Sequence, residues 1–192
     1  AAADVDYTSF IRTTGSTYPY VDIPYTKKAL PTDIAARLDS VSMGQVYGPY
    51  YNAGDNTINS FKVLAKETAA DSVEFRQIQV LAADAAKTKV LADSIMGALK
   101  AGGDFAAIAK KYGQTGESIW VSSDSYEGAS LDAENAKFLK SVLNANVNEY
   151  NNIKVGQANI IVQVMNKKAF QPKYQVAVVK RPIEFSKDTY NK

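Results

Sequence analysis

The sequence contains neither cysteine nor histidine among its 192 residues. The absence of cysteine excludes disulfide bonds, thiol nucleophiles and cysteine-ligated metal sites, although it does not indicate a cellular compartment. The absence of histidine excludes serine–histidine and cysteine–histidine catalytic pairs and histidine-ligated zinc. Neither a Walker-type loop nor the pattern G-x-G-x-x-G follows a predicted strand. An enzyme of this composition depends on carboxylates, lysines, tyrosines or binding alone, and we expect neither a cofactor nor a metal ion.

Long apolar runs and a strong excess of one charge are also lacking. No run approaches the ~18 apolar residues that are needed to span a bilayer. The 22 basic and 20 acidic residues are mixed along the chain, without a basic patch between aromatic residues, so we expect no nucleic-acid partner. What is present, 46% hydrophobic and 22% charged residues, is typical of a soluble globular protein with one domain, or one domain and a partial second.

From residue 73 onward the hydrophobic pattern predicts a compact α+β unit of ordinary domain size. Acidic residues stand where helix N-caps are expected, and glycines follow two of the helices. In chain order, the predicted elements are a strand at 73–81, a helix that begins near Asp84, a helix at 105–113 capped by Asp104, a short strand or anchored turn at 119–121, a helix from Asp132 through Leu143, and strands at 159–165 and 174–179.

The first 70 residues have a different character. They carry β-rich text at 18–25, a short helix at 32–38, and a predicted hairpin in which the turn 52–56 joins strands at 45–51 and 57–65. Six of the twelve tyrosines fall between residues 18 and 51. Tyrosine favours strands, and it also supplies amphipathic contact surface for a polypeptide partner, so both interpretations stay open.

An internal repeat links the two parts of the chain. The segment 38-LDSVSMGQV-46 matches 139-LKSVLNANV-147 at four positions, with a constant offset of 101 residues. At the same offset Val63 matches Val164, and Lys66 matches Lys167. The N-terminal part therefore looks like the back half of the helix, turn and hairpin that close the later unit.

Two segments carry a resemblance to the parvulin-type peptidyl-prolyl isomerases. The pattern L-x-x-G-x-D-F-x-x-L-A-x-x-Y-S of that family is similar to 99-LKAGGDFAAIAKKYG-113, and 71-DSVEFRQIQV-80 stands where the family has a strand that ends His-Ile-Leu-Val. Downstream, 159-NIIVQV-164 occupies the place of the last family strand, Gly-Tyr-His-Ile-Ile-x-Val. The join at 44–73 resembles that of large periplasmic, membrane-anchored foldases of the PpiD and SurA kind.

The chain departs from the family pattern at the positions that carry chemistry. The first family histidine aligns with Gln77 and the second with about Ile160, while Gln79 replaces a leucine. The loop at 115–120 is shorter than in the family and keeps only Gly116, Glu117 and Trp120. The apolar proline pocket, Met-x-x-x-Phe in the family, reads Leu131-x-x-x-Asn135, with Phe138 as the nearest aromatic residue.

The resemblance implies an α+β, FKBP-like antiparallel sheet with helices packed on it. We expect a β-rich N-terminal half-unit or linker region at 1–71, a parvulin-like domain at 72–170, and a C-terminal strand and exit segment at 171–192. The expected surroundings are a periplasm-like, extracytoplasmic compartment, with membrane anchoring only through other parts of a longer parent chain.

The resemblance also implies a function in protein folding, with unfolded or extended polypeptide as the partner. The residues expected to bind it are Gln77, Gln79, Trp120, Leu131, Phe138 and Ile160. Prolyl isomerisation requires no nucleophile, because preferential binding of the twisted amide lowers the barrier, so losing both histidines leaves activity open. Three functions remain: a polypeptide-binding module with weak or no isomerase activity, an active isomerase, and a structural spacer or dimerisation module.

Overall fold

The computed structural model describes residues 5–127 and 131–184. Over these residues the fold is α+β, with six strands in antiparallel pairing, as predicted. The strands are β1 (Tyr25–Thr26), β2 (Val46–Asn52), β3 (Thr57–Val80), β4 (Ser118–Ser122), β5 (Tyr150–Val155) and β6 (Ala158–Pro182). The helices are α1 (Tyr7–Thr13), α2 (Thr32–Ala35), α3 (Ala85–Lys100), α4 (Phe105–Lys111), α5 (Ser123–Tyr126) and α6 (Ala133–Asn144). No described helix has the length and apolar character that crossing a membrane requires.

The chain divides into two compact units. The first contains residues 1–67 and 172–192, of which 5–67 and 172–184 are described, and the second contains Thr68–Gln171. Strands β3 and β6 each supply residues to both units. The expected domain boundaries at residues 71 and 170 stay predictions, but the structure groups the described part of the C-terminal segment with the N-terminal residues.

The first unit has the strand order β1-β6-β3-β2. Tyr25 of β1 pairs with Tyr174 of β6, and β2 and β3 form the predicted hairpin. The apolar face of α2 and the short 3-10 turn Leu38–Ser40 cover one side of this sheet. The buried side chains of this core are Leu30, Ile34, Leu38, Phe61, Val63, Tyr174, Val176 and Val178.

In the second unit β4 pairs with β3, β5 pairs with β6, and β3 and β6 are neighbours. Successive residues of a strand point to opposite sides, so the sheet buries two separate clusters. On the α6 side the buried residues are Ala70, Val73, Phe75, Val142, Ala145, Ile153, Val162 and Val164. On the α3–α4 side they are Ile78, Val80, Ala92, Ile95, Leu99, Phe105, Ala109 and Ile161.

Three helices of the second unit begin where the sequence predicts. Asp84, Asp104 and Asp132 are the N-caps of α3, α4 and α6, and each carboxylate accepts a hydrogen bond from the backbone N–H three residues later. Such a cap satisfies one of the unpaired donors of the first turn and contributes about 1 kcal/mol.

The strands differ more from the prediction. The segments predicted as strands at 57–65 and 73–81 are parts of the single strand β3, and those at 159–165 and 174–179 are parts of β6. Lys66, Glu67 and Thr68 are exposed, so the apolar pattern stops there although the backbone stays extended. Side-chain alternation reports burial, whereas backbone pairing requires no particular side chain.

Four further elements were not predicted in the right form. Helices α1 and α5 and strand β5 were not predicted at all. Of the β-rich text at 18–25, only Tyr25, the first residue of β1, is in a strand. Strand β5 reads YNNIKV, and its asparagines, which disfavour strands, favoured a turn instead.

The offset of 101 residues in the sequence coincides with the positions of elements in the two units. Helices α2 and α6 begin 101 residues apart, at Thr32 and Ala133, and the same offset separates the starts of β3 and β6. Tyr174 of β6, which pairs with Tyr25 in the first unit, lies 101 positions after Val73 of β3, which pairs with Val121 in the second.

Candidate functional site

Gln77 lies on the α6 side of the second unit's sheet. It follows Val73 and Phe75 at two-residue spacing on β3, and both of these are buried in the cluster on that side. Ile78, by contrast, is buried in the cluster on the α3–α4 side. Gln77 is therefore a half-buried amide at the end of an apolar row, where it can both donate and accept hydrogen bonds.

Ile160 lies on the same side of the neighbouring strand β6. It is half-buried and packs against the α6-side cluster, and it is paired with Ile153 of β5. The two positions at which the resemblance places histidines thus share one side of two neighbouring strands. One of them now carries a neutral amide and the other an alkyl group that can neither donate nor accept a hydrogen bond.

Helix α6 brings the predicted aromatic residue to this surface. Phe138 packs edge-on against Phe75, with 6.1 Å between ring centroids, and it contacts the same cluster as Ile160. Val142, one turn later, is fully buried and anchors the helix. Leu131 is half-buried and stands directly before the N-cap Asp132.

Trp120 lies on the opposite side from these residues. In the β3–β4 ladder Trp120 is paired with Glu74, whereas Ile119 is paired with Phe75. Paired residues of an antiparallel ladder point to the same side, so Ile119 joins the α6 side and Trp120 the α3–α4 side. The Lys168 ammonium lies 4.0 Å from the Trp120 ring centroid, a cation–π contact.

Ile119 is therefore a residue of this surface that the sequence reasoning missed. Its side chain is 53% exposed, which is high for an isoleucine in a paired strand. The alternation in 118-SIWVS-122 contains the signal, but the side to which each residue points follows only from the register with β3.

The hydrogen bonds described at Gln79 are made by its backbone. The side chain of Gln114 forms two hydrogen bonds with it, accepting from the Gln79 N–H at 2.8 Å and donating to the Gln79 carbonyl at 2.7 Å. These bonds hold the loop after α4 against the last residues of β3, and the Gln79 side chain is exposed.

Two charged residues of β3, Glu74 and Arg76, lie on the α3–α4 side. Arg76 donates to Gln163 at 2.9 Å, and its guanidinium stands over the Phe105 ring at 4.3 Å. Glu74 accepts a hydrogen bond from Ser118 at 2.7 Å. The residues named here on the α6 side are apolar or neutral amides, which are suited to contacts with apolar groups and peptide bonds.

Two other carboxylates of this unit, those of Asp71 and Glu117, have different surroundings. Asp71 accepts a hydrogen bond from Gln171, and Glu117 is exposed on the loop before β4. Among residues 5–127 and 131–184, no group of three or more metal-ligating side chains lies close enough together to hold a metal ion.

Comparison with models of protein families identifies a family for this chain, independently of the geometry of the site. The model of the PPIC-type PPIase domain matches residues 58–168, more than half of the chain. No curated protein and no solved structure matches the chain in such comparisons. The family match covers the strands, α6 and the loop that form the surface around Gln77. The chain therefore belongs to the PPIC-type, or parvulin-type, peptidyl-prolyl isomerase family.

Proposed function

We propose that this chain is a parvulin-like module of an extracytoplasmic protein-folding factor. In this proposal it binds extended or unfolded polypeptide and has weak or no prolyl isomerase activity. We further propose that residues 1–71 form a β-rich half-unit of the same type, as the repeat at offset 101 suggests. The extracytoplasmic location, with membrane anchoring in the full-length protein, rests on the resemblance of the join at 44–73.

One observation supports the proposal: Gln77 and Ile160, at which the resemblance places histidines, both lie on the α6 side and carry no ionisable group. Gln77 and Ile160 border an apolar surface that includes the half-buried ring of Phe138. An apolar surface beside a side-chain amide suits the binding of apolar side chains and a peptide backbone. Retaining the fold while replacing these residues favours binding over turnover.

Active isomerisation is the second candidate function. The barrier to rotation about a peptide bond is ~18–20 kcal/mol, and an X-Pro bond prefers trans by only about 0.5–1 kcal/mol. An enzyme needs to bind the twisted amide more tightly than either planar isomer. The Gln77 amide is the observation that favours this candidate, since it can form a hydrogen bond with a twisted peptide group.

Two NMR measurements on the isotope-labelled chain test these functions. The ligand is an extended apolar peptide with one X-Pro bond. We expect shift changes that cluster at Gln77, Phe138 and Ile160, and cis/trans exchange of the peptide that stays on the uncatalysed scale of about tens of seconds. Exchange well above that rate would establish an active isomerase, and an unchanged spectrum would favour the spacer.

A matched pair of variants locates the binding. Gln77→Ala should weaken peptide binding several-fold, because it removes a half-buried hydrogen-bonding group from the surface. Gln157→Ala removes the same chemical group from the exposed turn between β5 and β6 and should leave binding unchanged. Equal effects of the two variants would contradict the assignment of this surface.

A further inference from the structure

The two units differ in what covers the second side of their sheets. In the second unit, the 16 residues of α3 and the seven of α4 bury that side completely around Ile78 and Ile161. Among the described residues of the first unit, 5–67 and 172–184, the helix on the corresponding side is α1, whose seven residues bury a single side chain, Ile11. Over these residues, the first unit carries less than half as much helix on this side of its sheet as the second unit does.

An apolar cleft of about 370 Å³ occupies this side of the first unit. It lies between α1 and the sheet, and its walls are almost entirely carbon. Three of its apolar residues are strongly exposed: Val5 by 53%, Phe10 by 52% and Val46 by 60%. Clustered exposure of this kind marks an interaction surface more often than a solvated one.

The repeat identifies what the cleft replaces. Ser60 and Val179, which line the cleft, correspond at offset 101 to Ile161 and Ile78 of the second unit. Both of these isoleucines are fully buried in the cluster that contains Ala92, Ile95 and Leu99 of α3. The place of the cleft on the first sheet is thus the place that the apolar stripe of α3 covers on the second.

The adjacent edge strand does not favour an extended occupant. Strand β2 is at the end of the strand order, but Pro49 in its middle has no N–H to donate, and the pairing register with β3 shifts between Tyr47 and Tyr50. Proline and bulges on an edge strand prevent another strand from pairing there. A helix uses its backbone hydrogen bonds internally and needs no such edge.

One charged side chain also lines the cleft. Lys62 is half-buried, and its ammonium donates to the Tyr7 hydroxyl at 3.2 Å and lies 5.8 Å from the Tyr7 ring centroid. A carboxylate beside the apolar stripe of a bound helix can pair with this ammonium. Because the surroundings are apolar, such a pair is less screened than one on an open surface.

We infer that this cleft is a second polypeptide-binding site, which takes an amphipathic helix of a client protein. The apolar stripe of the helix enters the cleft between α1 and the sheet, and an acidic residue beside the stripe pairs with Lys62. The site belongs wholly to the first unit and uses none of the residues of the α6 side. Binding in the cleft can therefore be confirmed or refuted separately from binding on the α6 side.

The test uses two synthetic peptides with the length of α3, 16 residues, and the same leucine and isoleucine stripe. One carries glutamates beside the stripe and the other lysines. Binding to the full chain is followed by fluorescence anisotropy, and NMR shifts locate it. We expect the acidic peptide to bind several-fold more tightly, with shifts at Phe10, Val46 and Lys62. Preference for the basic peptide, or shifts confined to the second unit, would overturn the inference.

Variants distinguish binding in the cleft from nonspecific binding to other apolar surface. Val46→Asp places a charge at the exposed rim and should weaken the acidic peptide at least tenfold, and Phe10→Ala should weaken both peptides. Val90→Asp makes the same change at a 68% exposed valine of α3 and should have no effect. Lys62→Gln should abolish the preference for the acidic peptide. Unchanged binding by Val46→Asp and Phe10→Ala, with native NMR spectra, would contradict the site.

Discussion

Gly116 lies where the loop after α4 turns back onto the helix. Its φ is +68°, and a Cβ atom there would lie 2.9 Å from the Ala109 Cβ and 3.0 Å from the Ala106 Cα. Gly113 has nearly the same φ, +71°, but a Cβ atom there would meet nothing within 4 Å. The two glycines therefore share a backbone conformation and differ in packing.

Alanine substitutions at these two positions should separate the cost of the left-handed backbone conformation from the cost of the steric clash. Gly113→Ala is expected to lower the free energy of unfolding by about 1–2 kcal/mol, because a left-handed conformation is unfavourable for a residue with a Cβ atom. Gly116→Ala adds a clash with helix backbone, and overpacking typically costs a further ~1–3 kcal/mol. Urea denaturation of both variants measures the difference, and equal losses would show that the loop can move away from α4.

At the same scale, the structure brings together only some of the residues that the sequence predicted to bind polypeptide. Gln77, Phe138 and Ile160 share the α6 side. Trp120 does not share it, because a single residue of register decides the side in a five-residue strand. No local pattern encodes that register, which depends on pairing with a strand more than 40 residues earlier.

At the scale of elements, β4 places one large apolar side chain on each side of the sheet. Ile119 and Trp120 are neighbours in the chain and are both largely exposed, but the first is paired with Phe75 and the second with Glu74. A polypeptide bound on the α6 side can contact Ile119 and cannot contact Trp120. Trp120 is therefore a control position for testing the contribution of Ile119 to the proposed binding.

The corresponding prediction compares Ile119→Asp with Trp120→Asp. The first should weaken binding of an extended apolar peptide by about tenfold, since it places a charge on the binding surface, whereas the second should change affinity little. Both positions are exposed, so the fold should survive either change. Titration calorimetry with one peptide measures both affinities, and a larger loss in Trp120→Asp would place binding on the α3–α4 side.

Element prediction followed the strength of the local signals. Helices α3, α4 and α6 have capping aspartates and periodic apolar residues, so their starts were predicted within one residue. Strands β3 and β6 have exposed middles at which the pattern of buried apolar residues stops, and their full lengths are set by pairing between distant segments. Helix α1 buries only Ile11, so its sequence carries almost no apolar periodicity.

At the scale of the whole molecule, the two units have the same order of strands, but β3 and β6 exchange positions between them. Strand β3 forms a hairpin with β2 in the first unit and pairs with β4 in the second, while β6 pairs with β1 and forms a hairpin with β5. The offset of 101 residues was visible in the sequence, but the membership of 172–184 in the first unit was not. Only long-range pairing reveals that membership.

Because β3 and β6 supply core residues to both units, we expect the described chain to unfold in one cooperative transition. Val63 and Val164 are equivalent at offset 101 and are 2% and 0% exposed, one in each unit. Val63→Ala and Val164→Ala should each lower the free energy of unfolding by about 2 kcal/mol, through lost burial and a small cavity. Val90→Ala, at an exposed position, is the control and should change little.

The single tryptophan makes the cooperativity measurable. Trp120 belongs to the second unit, so its fluorescence reports that unit, whereas far-UV circular dichroism reports the helices and strands of both. In a two-state transition the two signals have the same midpoint. Val63→Ala should therefore shift the Trp120 transition as far as Val164→Ala does, although Val63 belongs to the other unit. A Trp120 midpoint that stays at the wild-type value in Val63→Ala would show that the units unfold separately.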